Sequence, residues 1–124
     1  MKDGKNVILC VDDDKDFLDS VRTILETNNY VVAGASSAEE GLKVYKESKP
    51  DLVIVDLMME EIDSGTGLVK ELKLLGNKAP VYMLSSAGDQ LSMVTDYSTL
   101  GLDGVFQKPL QPKQLLATLK EKLK

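Results

Sequence analysis

The sequence contains no histidine, a single cysteine and no long apolar run. Without imidazole, the chain cannot build a histidine-ligated zinc site, use histidine as a general acid or base, or act as a phosphohistidine donor. Cys10 has no partner for an internal disulfide, which fits a reducing compartment. Flanked by Leu9 and Val11, it reads as a small buried hydrophobe rather than a reactive thiol. No segment approaches the roughly 20 apolar residues that span a bilayer, and no basic-plus-apolar leader opens the chain. The expectation is a cytoplasmic protein without membrane contact. A basic excess is also missing: the formal charge is −5, which disfavours direct nucleic-acid binding.

What is present fits one compact domain of 124 residues, 43% hydrophobic and 28% charged. Short apolar runs alternate with amphipathic stretches. Val7 to Val11 reads as a strand buried on both faces, followed by a helix with Phe17, Val21, Ile24 and Leu25 on one stripe. Asn28-Asn29 ends that helix, and Tyr30 to Ala33 reads as a second strand. Ser37, with Glu40 three residues on, predicts a capping box for a helix burying Ala38, Leu42 and Tyr45. After Pro50, Leu52 to Val55 gives the strongest strand. Leu68, Leu72 and Leu75 mark a third helix stopped by Gly76-Asn77. A fourth strand spans Val81 to Leu84, and Asp89 to Leu100 reads as a further helix. Gly101 and Gly104 bracket a turn before a fifth strand at Val105 to Gln107. A last helix starts at Pro112 and packs through Leu115, Leu116, Leu119 and Leu123. Five strands and five helices in strict alternation imply an α/β fold with a parallel sheet and helices on both faces.

In such a sheet, ligands bind beyond the carboxyl ends of the strands. Four of those ends carry polar groups: Asp12-Asp13-Asp14, Asp56, Ser85-Ser86 and Lys108-Pro109. Each alone has an ordinary explanation as a turn residue, a helix cap or a surface lysine. Nothing structural requires all four at one sheet edge, and carboxylates brought together repel unless they share a cation. Mg²⁺ suits carboxylate oxygens and needs few protein ligands. A carboxylate beside it can attack phosphorus, with the Lys108 ammonium and the Ser85 hydroxyl available to steady the charge on the transferred group.

Taken together, the segments Val7 to Asp14, Pro50 to Met59, Pro80 to Ser85 and Lys108 to Leu110 resemble the receiver domain of bacterial two-component response regulators. They cover nearly the whole chain in the right order. The resemblance implies a single receiver domain over residues 1–124, with a flavodoxin-like, doubly wound (βα)5 three-layer sandwich. Its five-stranded parallel sheet would have the order 2-1-3-4-5. It also implies Asp56 as both phosphoacceptor and Mg²⁺ ligand, Asp13 as a direct Mg²⁺ ligand, Asp12 acting through a metal-bound water, and a ligand from the Met58 backbone carbonyl. Ser85 stands at the switch hydroxyl position. Lys108 matches the phosphoryl-binding lysine, with a cis bond to Pro109. Implied partners are a histidine kinase or histidine phosphotransfer protein upstream and an effector protein or domain downstream. Such a domain catalyses its own phosphorylation and dephosphorylation and is not a conventional turnover enzyme.

The chain departs from the family pattern in four places. Glu60-Glu61 replaces a common Pro-Gly pair, and the run Asp63 to Gly67 is longer than usual. Val105 occupies the position of the usual switch aromatic, while Phe106, one residue on, should point to the opposite face of its strand. Gly104 replaces an acidic residue used in one dimer mode, which disfavours that mode. The surface formed by the fourth helix, fifth strand and fifth helix is the implied output face. Whether the chain stands alone or belongs to a larger regulator stays open. Met58 offers no polar group to orient an attacking water, so slow dephosphorylation is expected. Two other readings compete: a degenerate receiver that only binds protein, and a flavin protein of the same strand order. The first conflicts with intact Asp12, Asp13, Asp56 and Lys108. The second lacks a hydroxyl- and glycine-rich loop after the first strand.

Overall fold

The computed structural model describes residues 4–56, 64–85, 103–107 and 110–123. The elements are β1 (Val7–Val11), α1 (Lys15–Thr27), β2 (Val31–Ala35), α2 (Ala38–Ser48), β3 (Leu52–Asp56), α3 (Ser64–Leu74), β4 (Val81–Ser85), β5 (Gly104–Gln107) and α4 (Pro112–Lys122). The helix expected over 89–100 lies outside the described residues. All five strands run parallel in the order β2-β1-β3-β4-β5, so every carboxyl end opens on the same edge. This is the flavodoxin-like arrangement that the resemblance implied.

Both faces of the sheet are covered, which is why the central strands are apolar throughout rather than alternating. The two-residue strand period sends Leu9, Val11, Val53, Val55 and Met83 to the face packed by α2 and α3. Ile8, Cys10, Ile54, Tyr82 and Leu84 go to the face packed by α1 and α4. Cys10 is fully buried, as its neighbours suggested. Val105 packs against the first cluster and Phe106 belongs to the second, so the pair divides between opposite faces of β5. Phe106 stacks on Tyr82 with ring centroids 4.9 Å apart. Gly104 makes room for that tyrosine, because a Cβ there would lie 2.7 Å from Tyr82 Cε2. Gly104 is therefore the first residue of β5 rather than part of the expected turn.

Several local expectations shift. β2 starts at Val31 and runs to Ala35, later than expected from the apolar run. On this edge strand the Val32 carbonyl accepts a hydrogen bond from Arg22 Nη1 at 3.1 Å. A side chain thus covers a group that edge strands otherwise leave open. At the start of α2, Ser37 Oγ accepts from Glu40 N at 3.1 Å. The return arm of the box reaches back one residue further, with Glu40 Oε1 accepting from Ser36 N at 2.7 Å. Gly41, not a large residue, is the fully buried position of α2. A Cβ at Gly41 would sit 3.0 Å from Leu68 Cδ2 and Val11 Cγ2, so its absence lets α2 approach the sheet and α3.

In α3 the buried positions are Leu68, Val69 and Leu72, while Leu75 is 48% exposed and does not join the stripe. The helix closes there. Gly76 (φ +80°) donates to Lys73 O, and Asn77 N donates to Leu72 O at 3.0 Å. This paired closure turns Leu75 away from the core.

Candidate functional site

β1 delivers its aspartates by continuing one residue past the strand, with Asp12 N donating to Ala35 O at 3.0 Å. That bond draws Asp12 under the sheet edge, where it is fully buried. Its Oδ1 accepts from Asp14 N at 2.9 Å, closing a tight turn that leaves Asp13 exposed beside it. Asp14 serves the helix instead: it is the N-cap of α1, accepting from Asp16 N at 3.0 Å and Phe17 N at 3.2 Å. Three consecutive aspartates thus have three different jobs, and only the first two face the crevice.

Asp56 ends β3, the strand adjoining β1, and is 4% exposed. Carboxylate oxygens of Asp12, Asp13 and Asp56 all lie within 4.8 Å of one another. The span across an octahedral Mg²⁺ site is about 4.2 Å, twice the Mg–O distance of about 2.1 Å. The three carboxylates are therefore spaced for a small cation, reached directly or through a bound water. Their shared negative charge, two of them out of solvent, supplies the reason to hold one. These three residues could hold a metal.

Ser85 closes β4 one register step beyond Leu84, which pairs with Asp56. Its backbone therefore stands at the same edge as the acidic cluster. Lys108, Pro109 and Met58, and the loop carrying Glu60-Glu61, lie outside the described residues.

The opposite edge of the sheet holds two aspartates that sequence reasoning did not single out. Asp51 precedes β3; its N donates to Val7 O at 2.7 Å and its Oδ2 accepts from Val7 N at 2.8 Å. Asp103 precedes β5 and repeats the device, its N donating to Val81 O at 2.8 Å and its Oδ2 accepting from Val81 N at 2.9 Å. Each carboxylate satisfies the first N–H of a neighbouring strand. The signal available in sequence was an aspartate just ahead of an apolar run, which also fits any turn.

Comparison with known proteins agrees with this architecture. The model of the "Response regulator receiver domain" family matches residues 8–120. The chemotaxis protein CheY of Bacillus subtilis is 37% identical over 94% of this chain and 96% of its own length. The alkaline phosphatase synthesis transcriptional regulatory protein PhoP of the same organism is 33% identical over 91% of this chain, but only 46% of its own length. The chain spans about half the length of most of the curated relatives it matches. Among solved structures, a CheY-like response regulator receiver domain protein from Methanospirillum hungatei JF-1 superposes with a TM-score of 0.86. It is 32% identical, over 97% of this chain and 94% of that one. A parallel sheet of this order, an acidic cluster at its carboxyl edge and a family match over nearly the whole length converge: this chain belongs to the response regulator receiver domain family of two-component signal transduction.

Proposed function

We propose that residues 1–124 form a single receiver domain that accepts a phosphoryl group on Asp56 in a Mg²⁺-dependent reaction and so switches a signalling surface. The observation that carries this reading is the gathering of Asp12, Asp13 and Asp56 within 4.8 Å at the ligand-binding edge of the sheet.

Because this chain has no histidine, the donor is a phosphohistidine on a partner kinase or phosphotransfer protein, or a small-molecule phosphodonor. With phosphohistidine, an Asp56 oxygen attacks phosphorus and the bond from phosphorus to the donor's imidazole nitrogen breaks. The electron pair stays on that nitrogen, and the product is an aspartyl phosphate. When bound, Mg²⁺ neutralises charge on the transferred oxygens. Asp12, Asp13 and Asp56 would hold it, Asp13 directly and Asp12 through a bound water, with the Met58 carbonyl as a further ligand by family likeness. Lys108 and the Ser85 hydroxyl take the remaining phosphoryl oxygens in this reading, which rests for both on their place in the family pattern.

The chain acts once per phosphoryl group and is not a conventional turnover enzyme. Its readers are a downstream effector protein or domain. No described helix is long and apolar enough to cross a membrane, and the reading places the protein in the cytoplasm. With Val105 and Phe106 on opposite faces of β5, an element other than an aromatic at position 105 reports the movement of Ser85.

The test is to incubate the protein with acetyl phosphate and Mg²⁺ and to measure intact mass. Wild type should gain one phosphoryl group and Asp56→Asn should gain none. Wild type that binds Mg²⁺ yet never forms the adduct would instead identify a phosphorylation-independent binding module.

A further inference from the structure

One part of the sheet edge opposite the acidic cluster is lined by lysines. A shallow cleft of about 280 Å³ there is lined by Tyr45, Lys46, Lys49, Asn77 and Lys78, together with Pro50 and Ala79, and contains no carboxylate. All three lysines are exposed, and none has a carboxylate within ion-pair distance among the described residues. Lys78 also lines two adjoining clefts, which add Lys73 on one side and Lys122 on the other. The carboxylates in those clefts, Asp103 and Asp51, are each turned onto a strand N–H.

Lysines gather at helix ends to answer the partial negative charge of the last carbonyls, and that accounts for Lys46 in the final turn of α2. It also covers Lys49, the C-cap residue of α2, but not Lys78. Lys49 adopts a left-handed conformation (φ +48°, ψ +64°), which a glycine would enter without strain. Lys78 belongs to no helix and follows the turn that closes α3. The floor between them is fixed. Asn77 Oδ1 accepts from Tyr45 Oη at 2.9 Å and from Ala79 N at 3.1 Å, and Asn77 Nδ2 donates to Ala79 O at 3.0 Å. Three exposed lysines thus line a hydrogen-bonded polar floor. Ammonium acts as a point charge, suited to phosphate oxygens without demanding a planar fork.

We infer that this cleft binds a small anion bearing contiguous phosphate groups, either the phosphate chain of a nucleotide or a short inorganic polyphosphate. Its size suits a small molecule rather than a nucleic-acid duplex, which the net charge of −5 also repels. The occupant would bridge the end of α2 to the turn after α3 and brace the Lys49-Pro50-Asp51 entry to β3. The site is independent of phosphorylation at Asp56.

Isothermal titration calorimetry in metal-free buffer tests this, with inorganic tripolyphosphate and, separately, a nucleoside triphosphate as titrants. Wild type should show saturable one-site binding of tripolyphosphate that persists against sodium sulfate at matched ionic strength. Lys78→Glu and Lys46→Glu should each weaken binding by about tenfold or more, since each reverses a charge beside the anion. Lys43→Glu, an equal charge change on the exposed part of α2, should do far less, and Asp56→Asn should bind as wild type does. Tighter binding of the nucleoside triphosphate would identify a nucleotide as the source, and weaker binding the inorganic chain. Absence of saturable tripolyphosphate binding overturns the proposal. So does an equal loss in Lys43→Glu, or a loss in Asp56→Asn, which would put the anion at the acidic edge.

Discussion

The two edges of the sheet use the same residue type to opposite effect. β3 begins after Asp51 and ends on Asp56. At its amino end, the Asp51 carboxylate meets the N–H of Val7 at 2.8 Å. At its carboxyl end, Asp56 meets two other carboxylates. A carboxylate answered by a backbone donor tightens the fold, whereas carboxylates gathered close together repel one another and favour a shared cation. Residue type did not distinguish the two ends of this strand; the company each aspartate keeps did.

The largest expected effect falls on the carboxyl edge. Asp56→Asn should abolish the phosphoryl adduct in the mass spectrum, while Asp51→Asn should leave it intact. If both variants lost the adduct, the division between the edges would fail. Next comes stability at the amino edge. Asp51→Ala leaves the Val7 N–H without its acceptor and should lower unfolding free energy by about 1–3 kcal/mol in urea denaturation. Asp103→Ala, whose side chain is more exposed, should cost less than Asp51→Ala.

A smaller effect separates the edges by their response to metal. Mg²⁺ should raise the melting temperature of wild type by binding only the folded state. Asp13→Asn should reduce that gain and, in metal-free buffer, melt higher than wild type because one of three like charges is gone. Asp51→Ala should retain the full Mg²⁺ gain on its lower baseline.

The smallest effect is set by pH. Burial, then the charge of Asp103 and of Glu121, pushes the Tyr82 hydroxyl above the ordinary tyrosine value, and burial does the same for Tyr45. A group whose pKa is raised by folding holds its proton longer in the folded state. Stability should therefore be unaffected by these groups below about pH 10 and fall as pH rises through their folded values. Denaturation of wild type and Tyr82→Phe across that range checks it, with the variant losing less.

Much of this was legible in the chain itself. Unbroken apolar strands announced a sheet covered on both faces, and aspartates at the ends of β1 and β3 announced the acidic cluster. Asp14 shows why adjacent residues of one type need a structure to sort them, since its carboxylate is taken by the first turn of α1. Leu75 fits a helical spacing yet lies beyond the closure of α3, because the left-handed Gly76 ends the helix before the stripe continues. Gly41 carries no hydrophobic signal, although its lack of a side chain sets how closely α2 sits on Val11. Spacing reveals which face a residue takes, but not how near a neighbouring element comes.

The nesting of Gly104 against Tyr82 has a consequence for how this sequence can change over time. A side chain at 104 collides with the ring, so Gly104→Ala alone is penalised however harmless alanine is in a strand. Once Tyr82 is replaced by a smaller residue the objection disappears, and Phe106 loses its stacking partner. Substitutions at 82 and 104 are therefore non-additive. Lineages of this domain should exchange them as a linked pair, with a smaller residue at 82 easing the way for a side chain at 104.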